Sequence, residues 1–172
     1  DWSSDVCSSD LPAFRPDVDV LRDYVVALDD ELSPITIRIE LDDPAPGVED
    51  RLANIDLDVD IGTSAERRGK GAAITAGFEQ METDLLAFAD ADGSTPASSV
   101  GDVVAPVREG RAALSVGSRR HPDATVCGHQ TLIRRRLGDA FAFVAGRLLD
   151  VSLTAYQCGV KAISRDAWRD VR

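Results

Sequence analysis

A chain of 172 residues with 44% hydrophobic content is long enough for one domain with a sizeable core and is not compositionally disordered. Its formal net charge of -11 repels phosphate backbones and speaks against a nucleic-acid partner. Cys7, Cys127 and Cys158 show no metal-ligand spacing, His121 and His129 sit in a polar stretch, and no apolar run is long enough to span a bilayer.

The opening string DWSSDVCSSDL lacks the basic end and apolar stretch of a signal peptide and resembles translated adapter read-through joined to a gene fragment. Residues 1–10 are therefore set aside as a non-native or disordered leader, and the reading starts at Leu11. Apolar residues at Val18, Leu21, Val25, Leu28 and Leu32 recur at helix spacing. ITIRIEL alternates Ile35, Ile37, Ile39 and Leu41 against polar partners, the pattern of a half-buried strand, and runs into the turn formers DDPAPG. VEDRLANI predicts a short helix and LDVDI a strand. From Lys70 the chain suits a helix, with Ile74, Phe78 and Met81 on one side. DLLAFA reads as a buried strand. Pro96 opens a helix carrying Val100, Val103, Val104 and Val107 to Gly110. AALSVGSR predicts a strand, LIRRRLGDAFAFVAGRLLD a long helix, CGVKAIS a last strand and RDAWRDV a last helix.

Strands alternating with helices predict an α/β fold with a mostly parallel sheet. Ligands in such sheets bind beyond the carboxyl ends of strands. Three polar clusters fall there: DDP after ITIRIEL, DADGS after DLLAFA, and GSRR after AALSV.

DxD spacing alone carries nothing here, because Asp17/Asp19, Asp56/Asp58 and Asp58/Asp60 share it. Asp90 and Asp92 differ in context: they follow an apolar strand, precede a turn, and lie on one side of an extended backbone. Two such carboxylates repel unless a cation joins them, and Mg2+ or Mn2+ takes such ligands with substrate phosphates completing the shell. A helix N-cap at Asp92 or Ser94, with Asp90 solvated, fits the same residues, and both readings stay open. Lys70 between Gly69 and Gly71 at a helix start suits a phosphate, or is a surface lysine on a turn; the spacing is not a P-loop. Arg134, Arg135 and Arg136 point about 100° apart on a helix, so they do not all face one ligand.

LPAF, ELDDP, RRGKGAAITAGFE, FADADGSTP, SVGSR, the arginine-bearing helix and YQCGVKAI follow one another in order. The succession, covering residues 11–172, resembles the inverting nucleotide-sugar glycosyltransferases of family 2 with the GT-A fold, and within them the branch that makes dolichyl-phosphate sugars, haloarchaeal members included. The composition agrees: lysine occurs only as Lys70 and Lys161 in a strongly acidic chain, as in proteins of a high-salt cytoplasm.

The resemblance implies a hexose moved from a UDP- or GDP-sugar to a polyprenyl or dolichyl phosphate. Pro12, Phe14 and Asp42 or Asp43 would hold the nucleoside, with Lys70 and Gly71 near the nucleotide. Asp90, Asp92 and Ser94 would hold Mg2+ or Mn2+ on the diphosphate. Ser118, Arg119, Arg134 and Arg135 would face the acceptor phosphate, and Asp92, Arg119 and Gln157 would serve catalysis. The same likeness implies a GT-A domain truncated at both ends, located in the cytoplasm or at the cytoplasmic face of a membrane, with any lipid contact made by missing segments. Pro44 departs from the DDGS that relatives carry, and Ala155 stands where they have a catalytic aspartate.

Three rivals share part of the pattern. FADADGS also fits the strand-end motif of haloacid-dehalogenase-like phosphatases, but after Lys161 only Asp166 and Asp170 remain to hold their Mg2+, both within a predicted helix. Nucleotide-sugar pyrophosphorylases prefer a glycine-rich first loop, and LPAFRPD has no glycine. An inactive nucleotide-binding fragment of the same family is the non-enzymatic alternative.

Overall fold

The computed structural model describes residues 7–55, 57–118 and 158–172. One unit of the chain comprises residues 1–115 and 159–172; the second spans 116–158, of which only 116–118 and 158 are described.

The strands are β1 (Cys7–Phe14), β2 (Ile35–Asp42), β3 (Val59–Ser64), β4 (Leu85–Ala89), β5 (Leu114–Val116) and β6 (Val160–Ser164). The helices are α1 (Val18–Leu32), α2 (Val48–Leu52), α3 (Lys70–Gln80), α4 (Ala97–Arg108) and α5 (Arg165–Val171). The sheet order is β3-β2-β1-β4-β6-β5. β1 pairs in parallel with β2 and β4, β2 pairs in parallel with β3, and β6 runs antiparallel to β4. The expected mostly parallel α/β sheet is thus observed.

Local chemistry accounts for most boundaries. Asp17 caps α1, its Oδ1 accepting from the N–H groups of Asp19 and Val20 at 3.1 and 3.3 Å, a bond set that contributes about 1 kcal/mol. The predicted stripe of α1 is buried, and Tyr24 joins it. Each fully buried leucine in it, Leu21 and Leu28, contributes roughly 2 kcal/mol. β4 is buried on both faces, as its unbroken apolar run requires. Pro96 is the N-cap of α4 rather than its first helical residue.

Two expectations are corrected. Residues 7–10, set outside the fold by sequence, form the first half of β1, which lies between β2 and β4 in the middle of the sheet. Ser8, Ser9 and Asp10 are fully buried there. Their polar side chains hid the strand, and pairing on both edges imposes it. Second, β2 is not half-buried: Glu40 and Asp42, on its polar side, are as covered as Ile39 and Leu41. Arg38 and Arg68 close over Glu40, with Nε–Oε1 and Nη2–Oε2 distances of 2.7 and 3.1 Å.

α1 and α4 pack on each other, α3 lies on β1 and β2, and α5 on β6. Phe78 of α3 meets Trp168 of α5 edge-to-face with centroids 5.2 Å apart, over a cluster of Met81, Leu86 and Phe88. Arg165 fastens this layer. Its guanidinium donates to the carbonyls of Thr83 at 2.9 Å and Phe78 at 3.1 Å, and to that of Met81. Arg165→Met is expected to leave these acceptors short of donors, cost about 2 kcal/mol and lower Tm by about 5 °C. A calorimetric scan checks this; an unchanged Tm would show the carbonyls to be adequately served by water.

Candidate functional site

The carboxyl ends of β1, β2 and β4, at Phe14, Asp42 and Ala89, lie at the same edge of the sheet, with Asp90 directly after β4. The chain leaves β1 toward β2 on one side, while β4 lies on the other, so the sheet changes direction at this point and opens a crevice. Because β6 runs antiparallel to β4, its amino end, at Gly159 and Val160, arrives at the same edge.

A cleft of about 200 Å³ lies there, lined by Pro12, Ala13 and Phe14 of β1, Asp42 of β2, Arg67 and Gly69 of the following loop, and Lys70 and Ala73 of α3. Phe14 is 43% exposed although strongly apolar. The Arg67 guanidinium lies 4.4 Å from its ring centroid and that of Arg15 5.3 Å away. This flat, cation-edged aromatic suits a planar ring system.

Asp42 lines the cleft, yet its two oxygens are engaged. Oδ1 accepts from the Arg68 N–H at 2.7 Å and Oδ2 from the Gly69 N–H at 2.8 Å. The carboxylate thereby fixes the loop that launches α3. Gly69, with φ +84°, makes the turn, and Lys70 becomes the first helical residue. Asp43 has φ +52° and pairs with Arg15 at 3.4 Å near the surface.

Lys70 Nζ reaches across to Asp90 Oδ1 and bonds it. It also lies 5.1 Å from the Phe88 ring centroid. The strand ends at Ala89, and Ala91 and Asp92 form a turn rather than the extended backbone expected; Ala91 is buried, Asp90 half-buried and Asp92 exposed. Asp92 Oδ1 accepts from the Ser94 N–H at 2.9 Å, and Gly93, with φ +64°, completes the turn. The N-cap alternative fails for α4, whose N-cap is Pro96, although Asp92 does close a local turn. Beneath lies Tyr24, its ring 3.7 Å from where a side chain on Gly93 would begin. Its hydroxyl is buried without a partner among the described residues. Burial first, then the charges of Asp90 and Asp92, push its pKa up.

Gly159 completes the edge. Its carbonyl accepts from the Asp90 N–H at 2.9 Å, and a Cβ on it would run into the Asp90 carboxylate. Among the described residues no group of three or more His, Cys, Asp or Glu side chains is placed to hold a metal ion.

The structure therefore brings Pro12, Phe14, Asp42 and Lys70 to one cleft and joins Lys70 to Asp90. Asp92 and Ser94 sit exposed on the adjoining turn. Gly71 is exposed in the first turn of α3, with open space where a side chain would go. Ser118 follows β5 by two residues. Arg119, Arg134, Arg135, Gln157 and Ala155 lie outside the described residues. Sequence reasoning missed Arg67 and Tyr24, and read Asp42 only as a nucleoside contact. Tyr24 was legible as an amphipathic residue within the apolar stripe of α1. Arg67 carried no signal apart from its neighbours.

The family model for glycosyl transferase family 2 matches residues 42–171. Glycosyltransferase AglD of Haloferax volcanii is 30% identical over 158 residues, covering 92% of this chain and 25% of that protein. Human dolichyl-phosphate beta-glucosyltransferase is 28% identical over 110 residues, covering 61% of this chain and 34% of its own length. The chain thus spans about a quarter to a third of these relatives. Among solved structures, Mycobacterium tuberculosis glucosyl-3-phosphoglycerate synthase in complex with Mn2+, UDP and phosphoglyceric acid superposes with a TM-score of 0.70, at 15% identity over 95% of this chain and 57% of that one. The mannosyltransferase PcManGT of Pyrobaculum calidifontis, in complex with GDP-Man and Mn2+, gives 0.58 at 11% identity over 95% of this chain and 46% of that one. At such identities these two establish the fold alone.

Proposed function

The chain belongs to glycosyl transferase family 2, and on that premise we propose that it carries the donor half of a sugar transfer from a nucleoside-diphosphate sugar to a polyprenyl phosphate. The observation that carries the reading is the convergence of the Phe14–Asp42–Lys70 cleft with Asp90 at the carboxyl ends of β1, β2 and β4. A base lies against Phe14 between Arg15 and Arg67. The diphosphate runs past Lys70 toward Asp90 and Asp92. The lipid acceptor follows from the dolichyl-phosphate enzymes among the relatives. On this reading the reaction takes place at the cytoplasmic face of a membrane. Among the described residues no helix is long and apolar enough to cross one.

Mg2+ or Mn2+ fits the residues present. Gly159 carries no side chain where the Asp90 carboxylate lies, so that carboxylate keeps its place at the strand tip, where it already draws an ammonium. Asp90 and Asp92 would hold the ion, with the remaining ligands coming from phosphate oxygens and water, as both ions accept. Bound there, it supplies charge neutralisation for the departing diphosphate. The acceptor is a phosphate monoester with a second pKa of about 6, already anionic near neutrality. It needs no proton removed, so the absence of an aspartate at Ala155 does not bar transfer. The chain's own part is to hold the donor in line with that nucleophile and to keep Asp90 aimed.

The test is thermal unfolding with UDP-glucose, GDP-mannose and other donors, each with and without Mn2+ or Mg2+. Tm should rise by several degrees only when a donor and a cation are both present. Labelled sugar should then pass to polyprenyl phosphate and stop on addition of EDTA. No shift with any donor sinks the reading, and binding without transfer leaves a nucleotide-binding module. The phosphatase reading has no support from the family match; release of phosphate from a small ester would revive it.

A further inference from the structure

Lys70 and a divalent cation compete for one carboxylate. Lys70 Nζ bonds Asp90 Oδ1, one of the two oxygens through which Asp90 would hold a cation. An ammonium and a doubly charged ion repel at such separations, so each weakens the other's hold on that carboxylate. The backbone of Lys70 is fixed, because Asp42 holds the two N–H groups before it, at Arg68 and Gly69. Its side chain is not: it is 47% exposed and also lines the cleft that opens at Phe14. The ammonium therefore has two anionic destinations within reach of one fixed backbone, the Asp90 carboxylate and a phosphate lying in the cleft.

We propose that Lys70 is a counter-ion that exchanges partners: it neutralises Asp90 until a nucleoside diphosphate enters, then moves to the phosphate and releases Asp90 to the divalent cation. The inference rests on the donor-site reading given above and adds to it a binding order. Nucleotide and cation then bind cooperatively, and by thermodynamic reciprocity each strengthens the other by the same factor. The exchange also guards Asp90, which in a chain of net charge -11 would otherwise gather free cations without a substrate. The Phe88 ring centroid lies 5.1 Å from Nζ and stabilises the ammonium in its place beside Asp90 through the ring quadrupole.

The experiment is a titration of Mn2+ onto the chain, read by the loss of its free electron paramagnetic signal, with and without saturating UDP or GDP. Lys70→Met should bind Mn2+ about tenfold more tightly than the native chain in the absence of nucleotide. It should bind nucleotide more weakly, and the factor by which nucleotide tightens Mn2+ should shrink. Lys70→Gln, one bond shorter but with an uncharged polar tip, should behave as Lys70→Met does; Lys70→Arg should stay close to the native values. Asp90→Asn should lose Mn2+ with or without nucleotide. If Mn2+ binds nucleotide-free Lys70→Met and Lys70→Gln no more tightly than the native chain, the exchange is overturned while the donor site stands. If the native chain itself shows no cation-dependent nucleotide binding, the donor-site reading falls and the exchange with it.

Discussion

Gly159→Ala is expected to reduce cation-dependent nucleotide binding about 10- to 100-fold while leaving the chain folded. β6 pairs with β4 from Val160 opposite Ala89, and the next rung ties the Asp90 N–H to the Gly159 carbonyl. With both backbones pinned, a methyl group on Gly159 falls on the Asp90 carboxylate, its Cγ 2.7 Å away. The strands do not separate for one methyl, since ten β4 and β6 residues pair across the ladder. The carboxylate turns aside instead and breaks its bond to Lys70. Altering a group that orients a metal ligand costs about 10- to 100-fold in metal affinity. Calorimetric titration of UDP or GDP in the presence of Mn2+ checks the loss, and circular dichroism checks the fold. Gly101→Ala is the control, because the nearest atom to its new methyl, Glu31 Oε1, is 3.4 Å away on a flexible side chain. Native-like binding in Gly159→Ala would show that Asp90 does not hold the cation.

Asp10→Asn is expected to flatten the pH dependence of stability. Asp10 is fully buried in β1, neither oxygen has a well-formed hydrogen bond among the described residues beyond the weak pull of the Leu11 N–H, and α3 presses close enough that a Cβ on Gly77 would lie 2.6 Å from its Cγ. Burial, reinforced by the charge of Glu40 and opposed by Arg38, pushes its pKa up to about 8 from an ordinary value of 3.8. The folded value lies above the unfolded one, so the folded chain holds a proton that the unfolded chain releases. The stability supplied by the neutral carboxyl is complete below about pH 4 and is lost as pH rises toward about 8. At 1.36 kcal/mol per unit, the native chain should lose about 4 kcal/mol relative to Asp10→Asn between pH 5 and pH 9. That is a large part of the 5–15 kcal/mol typical of a domain. Urea unfolding of both proteins across this range checks it, and parallel profiles would show that Asp10 finds a partner in solution.

Most elements were legible because their reasons are local. The stripe of α1, the alternation of β2 and the apolar run of β4 report a burial period that survives without knowledge of neighbours. Asp90 was legible for the same reason, since an acid directly after a buried strand stands at its exposed tip. β1 was not. Ser8, Ser9 and Asp10 carry no apolar signal, and their strand state comes from hydrogen bonds to β2 and β4 on either side. The polar face of β2 looked solvated because Arg68, which covers Glu40, is distant in sequence.

The sequence by itself determined the alternation of strands and helices, and with it the positions of Asp42, Lys70 and Asp90 at element ends, because those follow from the burial pattern of each segment alone. Only the tertiary structure decided what these groups do to one another. Asp42 turns from a free acid into the clamp on the Arg68–Gly69 turn, Lys70 meets Asp90, and Gly159 makes room for that carboxylate. Each of these contacts joins separate segments that touch only when β1, β2, β4 and β6 end along one edge of the sheet, and no local pattern encodes a distance between chain segments that packing alone sets.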